Sequence, residues 1–185
     1  ALPVVTTGPD EIICINDSVQ LSANGANTYL WNPNNTITDN TISNPTVFPT
    51  TLTNYIVTGT DTNNCSNTDT LKVEVNDLPL IITSNDTVIC IGDRISILAS
   101  GGVTYQWLNT DSISDVNISN PQVWPSLTTD YEVVVTDLNN CIDTAEINVQ
   151  VNNLPAVNVG LDKNICKGDT ALILSLIHIS EPTRR

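Results

Sequence analysis

The chain has 185 residues, of which 20 are Asp or Glu and 6 are Lys or Arg, so its formal net charge is −14. This charge excludes a nucleic acid as partner, because binding a phosphate backbone needs clustered basic side chains. No apolar run approaches the roughly 18 residues of a membrane span, so we expect no span in this fragment. Good helix formers are scarce while Thr, Val, Ile and Asn are abundant, which favours strands over helices.

An internal repeat of 76 residues organises the chain. Residues 2–77 align with 78–153 without a gap, and 33 of the 76 positions are identical. We therefore predict a first repeat (2–77), a second repeat (78–153) and the truncated start of a third (154–174). The interrupted third repeat and the absence of an initiator Met predict that the chain is an internal piece of a longer protein.

Each repeat alternates apolar and polar residues with the two-residue period of β-strands. Val19, Leu21 and Ala23 share one face of an early strand, and Leu71 and Val73 share one face of the last strand. Turn residues such as Asn, Asp and Gly separate these segments. About seven short strands per repeat, with a Trp on the third, predict an all-β chain of tandem antiparallel sandwiches.

The aromatic residues fall into register between the repeats. Their alternation with polar neighbours predicts core packing rather than a sugar-stacking platform. The predicted core aromatics are Tyr29, Trp31 and Tyr55, with Tyr105, Trp107 and Tyr131 as their equivalents. Phe48 and Trp124, which lie beside prolines, are the remaining aromatic candidates for a ligand surface.

The last residues depart from the repeat. The register is lost at Ser175, and the sequence from Leu174 to Arg184 resembles the translation of a sequencing-adaptor DNA. We therefore expect 175–185 to be an artefact and leave this segment out of the fold. It contains His178, the only histidine, so we expect neither a His-dependent catalytic site nor a zinc site elsewhere.

Several motifs occur in a fixed order in both repeats. In the first they are Cys-Ile-Asn-Asp at 14–17, Tyr-Leu-Trp at 29–31, Asn-Pro at 44–45 and Asn-Asn-Cys at 63–65. This combination resembles the PKD-like, immunoglobulin-like repeats of secreted and gliding-associated (type IX-secreted) surface proteins of Bacteroidota. The Trp-Asp-Phe-Gly-Asp-Gly signature of other PKD domains is missing, which places the chain in the looser PKD-like group. The resemblance implies Ig-like sandwiches that serve as spacers or adhesive modules of an exported, multi-domain surface protein.

The cysteines fall into two columns of the repeat. Cys14, Cys90 and Cys166 form one column, and Cys65 and Cys141 form the other. Two Cys per repeat in an acidic chain without Met favour disulfides and an oxidising compartment. Pairing within a repeat, Cys14 with Cys65 and Cys90 with Cys141, is the first expectation, and the equivalent partner of Cys166 would lie beyond the truncation of the third repeat. Because the turn near Cys14 and the hairpin near Cys65 lie at opposite ends of an immunoglobulin-type sandwich, a Cys14–Cys141 bridge between repeats is the alternative.

Four recurring loop carboxylates are candidates for calcium, and we expect no other cofactor. They are Asp10 and Asp61, with Asp86 and Asp137 as their equivalents. Calcium prefers several converging oxygens, whereas an Asp that starts a turn commonly bonds its own backbone. Turn stabilisation is therefore the alternative role.

No catalytic constellation is evident, so we predict a protein that is not an enzyme. The predicted function is a structural or adhesive segment, a stalk or adhesin, of a large exported protein at the cell surface. The alternative is an accessory or carbohydrate-binding module of a secreted polysaccharide-active enzyme. The expected partners are neighbouring repeats of the same chain and surface glycans or other cells.

Overall fold

A computed structural model describes residues 1–157, 164–168 and 170 of the chain. All regular secondary structure in these residues is β-strand, which confirms the predicted all-β fold. The predicted third repeat is described only in part, and the predicted adaptor-derived tail, 175–185, lies outside the described residues. None of the described residues forms a helix that is long and apolar enough to cross a membrane.

The strands of the first repeat are short except for the last two, which form its central hairpin. They are β1 (Thr6–Thr7), β2 (Glu11–Cys14), β3 (Val19–Gln20), β4 (Ala23–Asn24), β5 (Thr28–Asn32), β6 (Thr46–Val47), β7 (Thr53–Thr60) and β8 (Ser66–Asn76).

The second repeat has the same elements in the same order. They are β9 (Ile82–Thr83), β10 (Thr87–Cys90), β11 (Ile95–Ser96), β12 (Ala99–Ser100), β13 (Thr104–Trp107), β14 (Gln122–Val123), β15 (Thr129–Thr136) and β16 (Ile142–Asn152).

Each repeat is a sandwich of two layers. One layer is a four-stranded sheet in the order β2-β8-β7-β5, and its equivalent in the second repeat is β10-β16-β15-β13. In this sheet β2 runs parallel to β8, while the β7–β8 and β5–β7 pairs are antiparallel. The other layer contains the β1–β4 and β3–β6 pairs. This strand order, with the first strand divided between the two layers, is that of an immunoglobulin-like sandwich.

The core of each sandwich consists of the inward residues of both layers. Trp31 and Tyr55 are buried in the first repeat, and Trp107 and Tyr131 in the second. The Trp31 indole nitrogen donates a hydrogen bond to the Ile42 carbonyl oxygen at 2.9 Å, so its one polar atom is satisfied. Buried residues of the two repeats form two separate clusters, and all substantial strand-to-strand packing among the described residues lies within a repeat.

Candidate functional site: the covalent junction between repeats

The first cysteine column lies at the end of a repeat where the chain leaves it, which we call the C-terminal pole. Cys14 is the last residue of β2 and pairs in register with Asn76, the last residue of β8. A tight turn follows, in which the Asp17 amide donates to the Cys14 carbonyl oxygen at 3.0 Å and Asn16 has a positive φ of 74°. Asn tolerates this left-handed conformation better than most residues, which explains the Cys-Ile-Asn-Asp motif.

The second column lies at the opposite end, the N-terminal pole, where the chain enters a repeat. In the second repeat the chain enters along β9, which pairs with β12, and the Val103 amide then bonds the Thr136 carbonyl oxygen at the end of β15. The hairpin between β15 and β16 therefore lies at the same pole as the entering chain. Cys141 is the last residue of the loop that connects these two strands, directly before β16.

One carboxylate holds the hairpin that carries Cys141. Oδ1 of Asp137 accepts hydrogen bonds from the Asn139 amide at 2.8 Å and the Cys141 amide at 2.9 Å. Asn140 has a positive φ of 62°, which turns the chain back toward β16. The hairpin thus presents the cysteine in a fixed position.

The two poles meet at the junction between the repeats, where Cys14 forms a disulfide with Cys141. Their Cα atoms are 5.6 Å apart, well within the range of an ordinary disulfide. Cys141 is fully buried at the junction and Cys14 is half-buried. This bond is the alternative pairing, which joins one repeat to the next.

Pairing within a repeat, our first expectation, is wrong for this structure. Cys65 precedes the eleven-residue strand β8 and Cys14 lies beside its last residue. At about 3.3 Å per residue, a strand of this length separates the two ends by roughly 36 Å, far more than a disulfide spans. Cys65 and Cys90 are free thiols in the structure.

The four calcium candidates each accept a backbone hydrogen bond. Asp10 accepts from the Lys72 amide at 2.8 Å and Asp86 from the Asn148 amide at 2.9 Å, so each fastens the start of β2 or β10 to its neighbour. Asp61, like Asp137 in the second repeat, holds its hairpin by accepting from the Cys65 amide at 2.9 Å. Within residues 1–157, 164–168 and 170, no three Asp, Glu, His or Cys residues are grouped closely enough to hold a metal ion.

The remaining aromatic candidates are divided between core and surface. Tyr29 and Tyr105 are half-buried against their cores, and each hydroxyl bonds the loop just before its own strand. Phe48 is 45% exposed, whereas its equivalent Trp124 is half-buried with the Arg94 guanidinium 4.0 Å from its ring centroid. The cation thus covers one face of the Trp124 ring.

A depression of about 290 Å³ lies in the second repeat, above the buried Tyr131. Asp111 is the only carboxylate in its lining, so it lacks the pair of acids that glycoside hydrolysis requires. Burial raises the pKa of Tyr131 above its ordinary value, as it does for Tyr55, so both phenols stay protonated at neutral pH.

Sequence reasoning missed a contact between the two layers of the first repeat. Asp69 on β8 accepts hydrogen bonds from the Thr7 amide at 2.8 Å and the Thr7 hydroxyl at 3.0 Å. The bonds to Thr7, together with one from the Thr70 amide, lower the pKa of Asp69. The one signal of this contact in the sequence is that the second repeat has Ala145 at the position of Asp69.

Comparison with known proteins finds no matching family model and no matching curated protein. Solved structures do match. A C-terminal fragment of intimin, solved in complex with the translocated intimin receptor, has a TM-score of 0.49 at 15% identity, covering 82% of this chain and 65% of that chain. The insect immune protein hemolin has a TM-score of 0.40 at 16% identity, covering 81% of this chain and 47% of its own.

The tandem Ig1+Ig2 domains of DIP-gamma are also similar, with a TM-score of 0.39, 13% identity, and coverage of 82% of this chain and 98% of that chain. At such identities and TM-scores, the likenesses carry no argument about function. The immunoglobulin-like assignment rests on the strand order and the registers described above.

Proposed function

We propose that the chain is a non-catalytic, load-transmitting segment of a large exported protein at the cell surface, either a stalk or the shaft of an adhesin. The bridge between Cys14 and Cys141 carries this proposal. A disulfide persists in an oxidising compartment, which supports export. The resemblance to Bacteroidota surface repeats points to the same setting.

The bridge adds a second covalent connection between the repeats. The first is the linker, in which Leu78-Pro79 follows directly on Asp77 after the last strand of the first repeat. Because the substantial strand-to-strand packing of the described residues lies within each repeat, we take the linker and the bridge to be the main restraints on the relative movement of the repeats. Two connections at one junction suppress hinge motion, so the pair behaves as a short rod.

The polysaccharide-binding alternative has less support. The large aromatics that could form a stacking platform, Trp31 and Trp107, are each only 1% exposed. Trp124 is the one half-buried Trp in the described residues, and Arg94 lies over its ring.

Rotational diffusion measured by ¹⁵N NMR relaxation tests the rod. In the full chain under non-reducing conditions, we expect both repeats to report one common diffusion tensor. The double variant Cys14→Ser/Cys141→Ser should give two tensors and shorter correlation times, because only the linker then joins the repeats. Cys65→Ser/Cys90→Ser is the matched control and should behave like the unmodified chain. One common tensor in the variant without the bridge would refute the rod.

The location is tested on intact source cells. An antibody raised against the repeats should label the parent protein on unpermeabilised cells, and external protease should remove the signal. Labelling that requires permeabilisation would refute the cell-surface role. Polysaccharide binding that Trp124→Ala abolishes would instead support the alternative.

A further inference from the structure

We infer that Cys65 and Cys90 are the two open halves of the same bridge that joins Cys14 to Cys141: Cys90 bonds the hairpin cysteine of a following repeat of this kind, and Cys65 bonds the turn cysteine of a preceding one. This inference rests on the proposed function and deepens it by naming the partner. Every repeat in the array would then be linked to both of its neighbours.

The first argument is that Cys90 stands in the same turn as the bonded Cys14. Cys90 ends β10 and pairs in register with Asn152, as Cys14 does with Asn76. The Asp93 amide donates to the Cys90 carbonyl oxygen at 3.0 Å, the same distance as in the first repeat. Gly92 has a positive φ of 95°, so the turn is of the same left-handed kind.

The second argument is that Cys65 stands in the same hairpin as the bonded Cys141. Asp61 accepts hydrogen bonds from the Asn63 amide at 2.8 Å and the Cys65 amide at 2.9 Å, the distances found around Asp137. Asn64 has a φ of 61°, which matches Asn140 at 62°. The turn that carries Cys90 and the loop that carries Cys65 therefore have the bonded conformation before any partner arrives. This reduces the loss of conformational entropy on forming the disulfide.

The third argument comes from burial at the two poles. Cys141, at the junction, is fully buried, whereas Cys65 is half-buried. At the C-terminal pole Cys14 is half-buried, whereas Cys90 is exposed. The same difference extends to the linker, where Leu78 is half-buried and Leu154 is 62% exposed. The N-terminal pole of the first repeat and the C-terminal pole of the second therefore expose surfaces whose equivalents are covered at the junction.

The bond forms by thiol–disulfide exchange with a small disulfide oxidant such as oxidised glutathione. The Cys90 thiolate attacks one sulfur of the oxidant and releases one glutathione thiolate, which takes up a proton. The hairpin cysteine of the following repeat then attacks the Cys90 sulfur and releases the second glutathione. Two protein thiols lose two electrons in total, and one oxidised glutathione becomes two reduced molecules.

The test extends the full chain by one tandem copy. Residues 2–153 are duplicated directly after residue 153, so that Leu2-Pro3 of the copy follows Asn153 as Leu154-Pro155 does in the original. Cys166→Ser and, in the second copy only, Cys90→Ser are included, so that Cys90 of the first copy is the only cysteine found in a 73–94 peptide. The protein is refolded in a glutathione redox buffer, alkylated with N-ethylmaleimide and digested. Trypsin cuts after Lys72 and Arg94, which releases Cys90 of the first copy in the peptide 73–94. A parallel digest with Asp-N, which cuts before Asp, places Cys141 of the first copy and Cys14 and Cys65 of the second copy in separate peptides.

We expect the 73–94 peptide of the first copy to be linked to the peptide that carries Cys65 of the second copy. Alkylation of Cys90 should fall about tenfold or more relative to a matched variant with Cys65→Ser in the second copy, because tethering holds the partner at a millimolar effective concentration. The Cys14–Cys141 bridge within each copy is the internal control.

Full alkylation of Cys90 in a molecule that has formed the Cys14–Cys141 bridges would overturn this inference and leave the proposed function standing. Absence of the Cys14–Cys141 bridges under the same conditions would overturn the proposed function as well. A link from Cys90 to Cys141 of its own repeat would overturn both, since it would replace the bridge between repeats.

Discussion

The two repeats share 33 of 76 residues and one strand order, yet they fill the space beside β5 and β13 in opposite ways. In the first repeat Ala26 faces Gly59, and a Cβ at Gly59 would lie 2.7 Å from the Ala26 Cβ. In the second repeat the equivalents are Gly102 and Val135, and a Cβ at Gly102 would overlap the Val135 side chain. The larger residue lies in the loop before β5 in the first repeat and on β15 in the second, which teaches that the fold fixes the volume of this space but not which segment fills it.

The repeats also differ in how their two layers are held together. In the first repeat Asp69 joins β8 to Thr7 of the opposite layer, while Ala145 in the second repeat has no polar group to do so. Most buried positions, by contrast, correspond between the two cores around Trp31 and Trp107, and Val135 in place of Gly59 is the main exception. Most of the interior packing is thus common to both repeats, whereas the polar contact between the layers is particular to the first.

The largest expected effect comes from the shared core. Trp31→Ala and Trp107→Ala should each lower the free energy of unfolding by about 3–5 kcal/mol, because each removes a fully buried indole. Since the cores are separate, hydrogen exchange should increase in the substituted repeat and remain slow in the other. Phe48→Ala, at a site that is 45% exposed, is the control and should change the unfolding free energy by roughly 0.5 kcal/mol or less.

Equal loss of protection in both repeats after Trp107→Ala would contradict this prediction. It would mean that the Cys14–Cys141 bridge makes the pair a single cooperative unit in spite of the separate cores.

An effect of intermediate size is expected from exchanging the packing of the two repeats. Gly59→Val should destabilise the first repeat by about 1–3 kcal/mol, because the new side chain meets Ala26 and Val5. Adding Ala26→Gly recreates the pair found in the second repeat and should recover part of this loss. Urea unfolding of the two variants, followed by circular dichroism, measures both steps.

The reciprocal change provides the control for this exchange. Gly102→Ala should also destabilise, because its Cβ would meet Val135. If adding Ala26→Gly lowers the unfolding free energy of the Gly59→Val variant further, the two repeats do not fill the same space at these positions. The prediction would then be wrong.

How far the sequence predicts this structure depends on the range of the interaction. The strands and their buried faces follow from the alternation of residues, as with Leu71 and Val73 on β8, because each is set by neighbours along the chain. The repeat register predicts the two cysteine columns in the same way. The pairing of Cys14 with Cys141 depends on which poles meet, and this follows from the parallel β2–β8 pair and the direction of the linker.

Contacts without a repeating partner were harder to predict. The contact between Asp69 and Thr7 joins residues 62 positions apart in opposite layers, and the second repeat carries no carboxylate at the position of Asp69. Repetition reveals what the fold requires of every copy, and it gives no signal for a contact that only one copy makes.

The smallest expected effect concerns Asp69, the contact that only the first repeat makes. Asp69→Ala installs the residue of the second repeat and should cost about 0.5–1 kcal/mol at neutral pH, since two hydrogen bonds to Thr7 are lost from a partly exposed site. These bonds lower the pKa of Asp69 in the folded state below its ordinary value of 3.8. The carboxylate therefore contributes its stability above pH 3.8, and this contribution disappears as the pH falls through the folded pKa.

Unfolding free energies of the unmodified chain and Asp69→Ala should accordingly differ at pH 7 and converge as the pH falls below 3.8. Thr7→Val removes the hydroxyl donor and leaves the amide, so a double-mutant cycle with Asp69→Ala isolates the side-chain bond. Ala145→Asp offers the reverse test, since it places a carboxylate opposite Thr83 where the first repeat has its contact. The contrary result is a difference in unfolding free energy between Asp69→Ala and the unmodified chain that stays constant from pH 7 to pH 2. It would show that the charge of Asp69 contributes nothing to stability and that only its packing distinguishes the two repeats here.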